Sequence, residues 1–313
     1  MVREEMRDGF EFVPMFYPFY KKDAIKVVNN GAKSLEEYQK YICTHGIEKA
    51  EIIMPDLKIL KLCPSLKYLN IFPIYTADKK FDFSPLYEVP EIKALNCQNR
   101  YGDSYQYLSE LDYLKVRGLI SLFVDVNSKT LNYNKVETLR SLSIGSYKGK
   151  KRDVTELFCS KELDTLRIIQ CGIDSLTGIE RSFKMQCVYL DYNRSLKDIS
   201  ALMNVKETLK MLRIDNCPKI ENFSILGELE NLELLELTGS NTLPNLNFLK
   251  TMKNLKTFIL NMNVLNGDLS LCMNLSYVHL GADRKHYNLK NNDLPKLKYF
   301  RGNEDIEEWR RLE

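Results

Sequence analysis

The segment Leu209-Lys210-Met211-Leu212-Arg213-Ile214-Asp215-Asn216-Cys217 decides the fold, because its pattern recurs along the chain. It has the form L-x-x-L-x-L, and clear copies follow at residues 232–240, 255–263 and 275–283. If the fourth residue of each copy is taken as a marker, successive markers stand 20 to 23 residues apart. A period of this length indicates a repeat protein in which each unit contributes one short strand.

Weaker copies extend the array toward both ends of the chain. With them there are twelve markers, namely Ala50, Leu69, Leu95, Leu122, Leu142, Leu166, Val188, Leu212, Leu235, Phe258, Val278 and Phe300. The spacing is less even in the N-terminal part, where steps of 26 and 27 residues occur. The same apolar positions nevertheless recur together from about residue 47 to residue 303, so we read one continuous array.

The chain resembles the leucine-rich repeat family in its L-x-x-L-x-L-x-x-N/C segments, and residues 197–202, Lys-Asp-Ile-Ser-Ala-Leu, are similar to the short bacterial internalin class. The resemblance implies an α/β solenoid: a leucine-rich repeat horseshoe with a parallel concave β-sheet and short helical or irregular convex segments. In this family an Asn or Cys at the ninth position satisfies buried backbone groups of the turn.

Here the ninth position holds Asn127, Cys171, Asn193, Cys217, Ser240, Asn263 and Asp283. Nearer the N-terminus it holds Pro55, Ile74 and Arg100, so we expect the first three repeats to depart from the family geometry.

A solenoid leaves an apolar cross-section at each end, which must be covered. We predict an N-terminal cap at residues 1–46, about 12 repeats at residues 47–303 and a C-terminal cap at residues 304–313. The first cap would combine the aromatic stretch 10–20 with a helix that begins at the capping box Ser34-Leu35-Glu36-Glu37 and ends near Gly46, with one face formed by Leu35, Tyr38, Ile42 and His45. An aromatic ligand or membrane patch is the alternative. In the second cap, Trp309 would cover the last strand with Ile306 and Leu312.

Composition and charge place few constraints on function. The 313 residues are 44% hydrophobic and 28% charged, with a net charge of +3, so no strong preference for nucleic acid follows. The N-terminus lacks the apolar core of a signal peptide, and no apolar run approaches the roughly 18 residues of a membrane span. We therefore expect a cytoplasmic protein with no membrane partner.

The eight cysteines are expected to be buried thiols. They are far apart and include no C-x-x-C pair, which argues against zinc ligands and disulfides. Cys187 alone falls on an outward strand position.

No catalytic constellation is evident in the sequence. The chain has only three histidines, His45, His279 and His286, and it contains none of the phosphate-binding, dinucleotide-binding, zinc-protease or serine-hydrolase motifs. We expect a protein that is not an enzyme and that needs no cofactor and no metal.

Side chains at the third, fifth and seventh positions of each strand are expected on the concave face, because side chains alternate along a strand. This face is enriched in Tyr, Phe and Arg, as protein interfaces are. The candidate partner-binding residues are Phe123, Arg167, Tyr189, Asp191, Tyr192, Arg213, Asp215, Glu236, Tyr277 and His279.

Their expected centre lies near Arg167, Tyr189, Asp191, Arg213, Asp215 and Glu236. Tyr189 and Arg213 are expected to be exposed in the free protein. The arginines alternate with acids, so they form no track for phosphates. The alternative for the charged residues is that cross-strand Arg–Asp pairs only hold the sheet together.

These features predict a monomeric, non-catalytic protein-binding module whose partner is another protein, such as a toxin or an enzyme. The bias toward Lys, Asn, Ile and Tyr fits an AT-rich bacterial genome, and a stand-alone bacterial binder is typical of an immunity protein that neutralises a cognate toxin. The alternatives are a regulatory scaffold that binds an endogenous enzyme and a secreted host-directed effector.

Overall fold

The computed structural model describes residues 5–15, 23–74, 81–97, 111–126 and 130–297. The chain divides into two compact units, residues 1–139 with 306–313, and residues 140–305. The predicted strand at Phe300 and the predicted cap at residues 304–313, with Ile306, Trp309 and Leu312, lie outside the described residues.

Within the described part of the first unit, the strands lie side by side in chain order. They are β1 (Glu5–Arg7), β2 (Phe10–Val13), β3 (Ala24–Val28), β4 (Lys49–Ile53), β5 (Tyr68–Ile71), β6 (Ala94–Cys97) and β7 (Ser121–Asp125). The β1–β2 and β2–β3 pairs are antiparallel, and each later pair in this unit is parallel. An antiparallel hairpin thus precedes the repeats, which the repeat pattern did not predict.

The second unit carries one parallel sheet, again in chain order. Its strands are β8 (Ser141–Gly145), β9 (Thr165–Ile169), β10 (Cys187–Asp191), β11 (Met211–Asp215), β12 (Leu234–Leu243), β13 (Thr257–Val264) and β14 (Tyr277–Leu280). Most have the short length of repeat strands, but β12 and β13 are longer because they continue past a bulge.

The strand register confirms the repeat pattern in both units. Leu212 pairs with Val188 on one side and with Leu235 on the other, and the markers of the flanking strands continue this row. In the first unit Ala50, Leu69, Leu95 and Leu122 pair in the same way. Every marker of these rows is buried, so the row is the apolar core between repeats. The predicted leucine-rich repeat solenoid is confirmed.

The segments that return from one strand to the next are short helical turns. In the first repeats they include the α-helices Lys58–Leu62 and Ser84–Glu88, whereas the later ones are 3-10 turns. The described 3-10 turns are Tyr113–Lys115, Tyr133–Lys135, Thr155–Leu157, Ile179–Arg181, Ser200–Val205, Ser224–Glu228, Asn247–Lys250, Ser270–Asn274 and Asn291–Asp293. The first repeats therefore do differ from the later ones.

The predicted N-terminal helix spans Leu35–His45 and ends at Gly46 in the left-handed conformation. The Ser34 hydroxyl accepts a hydrogen bond from the amide of Glu37 at 3.2 Å, and the Ser34 amide donates to the Glu37 carboxylate at 2.7 Å, which is the capping box. Of the predicted face, Tyr38 and Ile42 are buried, Leu35 is half-buried and His45 is exposed. The division into caps and repeats stays a prediction.

The turns after β9, β10 and β11 depend on the ninth position, as the family resemblance implied. The Asn193 side chain accepts a hydrogen bond from the amide of Cys171 at 2.9 Å and donates to the carbonyl of Ile168 at 2.9 Å. The thiol of Cys217 donates to the carbonyl of Leu190 at 3.5 Å. These side chains are buried and replace water as partners of the backbone. After β13 and β14 the predicted ninth residues do not point inward: Asn263 is half-buried between the buried Met262 and Val264, and Asp283 is exposed.

The assignment of Ser240 to this ninth position is wrong. The register of β12 shifts between Thr238 and Thr242, where extra residues bulge out of the ladder. Ser240 is exposed, and Asn241 turns inward instead. Its amide donates to the carbonyl of Ile220 at 2.8 Å and to that of Cys217 at 3.2 Å. Gly239, at φ +133°, permits this turn. Asn127 lies outside the described residues.

Most of the described cysteines are buried, including Cys63, Cys171, Cys187, Cys217 and Cys272. Burial raises the pKa of the Cys217 thiol to about 11 and that of Cys272 to about 12, so both are protonated at neutral pH. Cys187 is also buried, with its sulfur 3.8 Å from the sulfur of Met211. The outward strand position does not expose this thiol.

We expect Leu212→Ala to lower the free energy of unfolding by about 2–5 kcal/mol, because Leu212 is fully buried between two neighbouring strands. Urea unfolding followed by circular dichroism measures the loss. The matched control is Leu265→Ala, which truncates a leucine that is 68% exposed and should change stability by less than about 0.5 kcal/mol. An equal loss in both variants would contradict the assignment of the core row.

Candidate functional site

The candidate site is the face of the β8–β14 sheet that points away from the core, here called the outer sheet face. Its residues occupy the third, fifth and seventh positions of each strand, and parallel pairing aligns each position in a row across the sheet. The fifth-position row reads Ser143, Arg167, Tyr189, Arg213, Glu236, Ile259 and His279. The seventh-position row includes Asp191, Asp215, Thr238 and Asn261.

Much of the outer sheet face is buried, which corrects the expectation that outward positions are exposed. Tyr189 is only 5% exposed, and the third-position residues from Ser141 to Thr257 are buried as well. Adjacent strands lie about 4.8 Å apart, so side chains in one row cover one another. Tyr189 is packed in this way between Arg167 and Arg213, its register neighbours. The predicted exposure of Tyr189 is therefore wrong, and that of Arg213, which is half-buried, holds only in part.

Two arginines and an aspartate form an ion-pair chain across three strands of this face. The Asp191 carboxylate lies 2.6 Å from Nε of Arg167 and 3.1 Å from Nε of Arg213. Asp191 is almost fully buried, whereas the side chains of Arg167 and Arg213 are 20% and 30% exposed. A buried carboxylate needs such partners, since an unpaired charge there would be strongly destabilising. These pairs connect neighbouring strands, as the structural alternative described; partner binding at these residues stays a prediction.

The chain of charges continues onto β12. Arg213 also approaches the carboxylates of Asp215 at 3.4 Å and Glu236 at 3.8 Å. Asp215 accepts a hydrogen bond from the Thr238 hydroxyl and another from the side-chain amide of Asn216 at 2.8 Å. Arg213 thus forms ion pairs with three carboxylates, which makes it the central group of the network.

Among the three acids of the network, Glu236 lies farthest from a guanidinium nitrogen, at 3.8 Å. Burial raises the pKa of its carboxyl, and the nearby carboxylates of Asp215 and Asp191 raise it further, while Arg213 offsets only part of this effect. The cause is that its side chain is about three-quarters buried, yet its nearest cation is 3.8 Å away. The folded protein therefore resists ionisation of Glu236.

The accessible groups lie around this network. Tyr192, in the turn directly after β10, is 46% exposed, and His279 on β14 is exposed. Tyr277 is half-buried, with Nζ of Lys296 lying 5.2 Å from its ring centre. Asn261 on β13 is exposed on the same face and was not among the candidates, because an Asn on a strand carries no distinctive signal.

Phe123 belongs to the first unit, on β7, and is 7% exposed. Its outward position does not make it accessible, for the same reason as Tyr189. In the same unit, the fifth positions form a buried ladder in which Asn96 donates to Asn70 at 2.6 Å and Asn70 donates to Glu51 at 2.7 Å. These side chains satisfy one another inside the row.

A groove of about 450 Å³ lies away from the outer sheet face, between two return segments. Phe223, Leu243, Pro244 and Phe248 contribute its apolar lining. Among the described residues, no group of histidine, cysteine and acidic side chains is arranged to hold a metal ion. None of the described helices has both the length and the apolar content needed to cross a bilayer.

Neither a protein-family model nor a curated protein matches the sequence. Solved structures do resemble it. The internalin InlF from Listeria monocytogenes is 17% identical, with a TM-score of 0.50 over 76% of this chain and 73% of the internalin. Internalin C2 from the same species is 21% identical over 63% of this chain and 83% of its own, with a TM-score of 0.42.

The leucine-rich repeat protein LIC12759 from Leptospira interrogans is 15% identical over 72% of this chain and 66% of its own, with a TM-score of 0.44. The likeness to InlF shows the fold, and it confirms the internalin-like repeat architecture inferred from the sequence.

The raised pKa of Glu236 makes a pH-dependent contribution to stability. The folded protein holds the proton of the Glu236 carboxyl more tightly than the unfolded chain does. The resulting contribution to the free energy of unfolding is complete below the unfolded pKa of about 4.3 and is lost as the pH rises through the higher folded pKa. Glu236→Gln cannot ionise and keeps the shape of the side chain. We therefore expect the stability of this variant relative to wild type to increase with pH over this window.

Urea unfolding of both proteins between about pH 4 and pH 8 measures this difference. Glu228→Gln is the matched control, since Glu228 is exposed in the return segment that precedes β12. A stability difference that falls as the pH rises would show that ionised Glu236 is favoured in the fold.

Proposed function

We propose that this leucine-rich repeat protein is a non-catalytic module that binds another protein through the outer sheet face of β8–β14. The observation that carries the proposal is the conformation and exposure of Tyr192. This side chain presents nearly half of its surface to solvent beside the ion-pair chain, from a backbone conformation that tyrosine seldom adopts.

The turn after β8, β9, β10 and β11 places the eighth residue in the left-handed region. The residues there are Ser146, Gln170, Tyr192 and Asn216, with φ between 51° and 58°. Asn and Gly suit this region, but a bulky side chain costs about 1–2 kcal/mol. Tyrosine at this position therefore destabilises the fold, and the turn does not require it, since Ser146, Gln170 and Asn216 form the same turn. Strained residues of this kind cluster at functional sites, and exposed tyrosines are frequent anchors of protein interfaces.

The rest of the face supports binding rather than catalysis. The carboxylate of Asp191 is buried between two guanidinium groups, and that of Asp215 accepts hydrogen bonds from a hydroxyl and a side-chain amide, so both support the surface instead of acting as free acids or bases. Around them Tyr192, Tyr277, His279 and Asn261 offer accessible aromatic and polar groups. Aromatic anchors on a rigid sheet are what a protein partner requires.

Within this class we propose a bacterial immunity protein that binds a cognate toxin and covers its active site. The support is the compositional bias toward Lys, Asn, Ile and Tyr together with a rigid face that has no catalytic group of its own among the described residues. A regulatory scaffold for an endogenous enzyme would use the same surface. The distinction lies in the partner: a toxin arrests growth when it is expressed without this protein.

The partner can be captured by affinity purification from the source organism at moderate salt, with wild type and Tyr192→Asn in parallel. A protein that is retained by wild type, lost from the variant and toxic when expressed alone supports immunity. A nontoxic enzyme with altered activity in the complex supports the regulatory scaffold. A partner bound equally by both proteins would contradict binding through Tyr192.

We expect Tyr192→Asn to raise the free energy of unfolding by about 1 kcal/mol, since asparagine tolerates the left-handed conformation better than tyrosine does. The same variant should weaken partner binding. The control is Gln170→Asn, at the equivalent position of the preceding repeat, which should leave partner binding unchanged. Thermal unfolding and titration calorimetry measure the two effects. A variant that is less stable than wild type would refute the idea that Tyr192 is retained at a cost to stability.

A further inference from the structure

The charges on the outer sheet face do not balance. Among the described residues at the third, fifth and seventh positions of β8–β14, the cations are Arg167 and Arg213, and the anions are Asp191, Asp215 and Glu236. The five groups belong to one network whose members approach within 2.6 to 3.8 Å. The network therefore carries one carboxylate more than it has guanidinium groups to neutralise.

Partners and burial together identify which carboxylate is open to an added cation. Asp191 lies between two guanidinium groups, and its Oδ1, which accepts no hydrogen bond from the described residues, is fully buried. Asp215 accepts hydrogen bonds from the Thr238 hydroxyl and the Asn216 side chain. In the part of the chain that the structure describes, the Glu236 carboxylate accepts no hydrogen bond, and its only charged contact is Arg213 at 3.8 Å. A partly buried carboxylate in this state gains more from an added cation than a solvated one would.

The surroundings of Glu236 leave an approach for such a cation. On the β11 side the carboxylate faces Arg213, its register neighbour. On the β13 side its register neighbour is Ile259, which is half-buried and uncharged, followed by the exposed His279 on β14. The methylene stem of a lysine or arginine can lie along Ile259 while its charged head reaches Glu236.

We propose that Glu236 is the contact point for a cationic side chain, lysine or arginine, of the protein partner. The inference rests on the proposed function, because it needs a partner on the outer sheet face. It adds the chemistry of that partner: a basic residue at the centre of its interface, entering from the β13 side. Arg213 then remains paired with Asp191 and Asp215 in the complex.

The test uses the full chain and a phage-displayed library of random linear peptides. Peptides are selected for binding to wild type. Those that compete with one another for the outer sheet face are then measured for affinity to Glu236→Gln and to the control Glu228→Gln. We expect the recovered peptides to share a lysine or arginine and to bind Glu236→Gln about tenfold more weakly. Binding to Glu228→Gln should equal binding to wild type.

A double-mutant cycle then assigns the contact. Replacing the shared basic residue of the peptide with methionine should cost about tenfold on wild type and nothing on Glu236→Gln. An equal loss on both proteins would overturn the inference, as would recovered peptides that lack any basic residue. Thermal unfolding of Glu236→Gln verifies that the variant is folded.

The two proposals fail in different ways. Peptides that lose affinity on Tyr192→Asn but show no coupling to Glu236 would overturn only the cationic contact. Peptides whose binding is unchanged by Tyr192→Asn, Glu236→Gln and His279→Ala would remove the outer sheet face as a binding surface, and with it the proposed function.

Discussion

The stacking of apolar side chains from one repeat onto the next is the interaction on which the rest of the structure depends. In residues 140–305 the fourth strand position carries a buried row, which consists of Leu142, Leu166, Val188, Leu212, Leu235, Phe258 and Val278. No single repeat could bury its own member of this row, so the repeats are stable only together. Because the row aligns the strands, it also determines which residues become neighbours on the outer sheet face.

A second constraint acts where the strands of the central repeats end. After β10 and β11 the chain turns with its ninth side chain, Asn193 or Cys217, pointing inward, because the backbone groups of the turn are shielded from water. The eighth residue adopts a left-handed conformation to allow this. The same geometry aims the Tyr192 side chain outward, so a requirement of the fold creates the most prominent candidate anchor for a partner. Stability and binding favour different residues at this single position.

The outer sheet face combines a structural part with a part that is open to a partner. Arg167 and Arg213 flank Asp191 across three strands, and these ion pairs support the sheet. Glu236 accepts no hydrogen bond among the described residues, and Tyr192 is 46% exposed. The charges inside the network already have charged neighbours, so they are a poor source of additional binding energy. We therefore assign partner recognition to Glu236 and Tyr192, which lie at the edge of the network.

The sequence by itself determined the described strands of the repeats, their spacing and the alignment of their fourth positions, because the apolar period is local and each copy is stabilised in the same way as its neighbours. It also identified the capping box at Ser34 and the role of the ninth position at Asn193. Only the tertiary structure decided which outward side chains are accessible: Tyr189 is covered, and Tyr192 is not. Exposure depends on the side chains of adjacent strands, which are more than 20 residues away in the chain. For the same reason the repeat pattern could not show that Asn241, and not Ser240, turns inward. The bulge that causes this depends on pairing between β12 and β13.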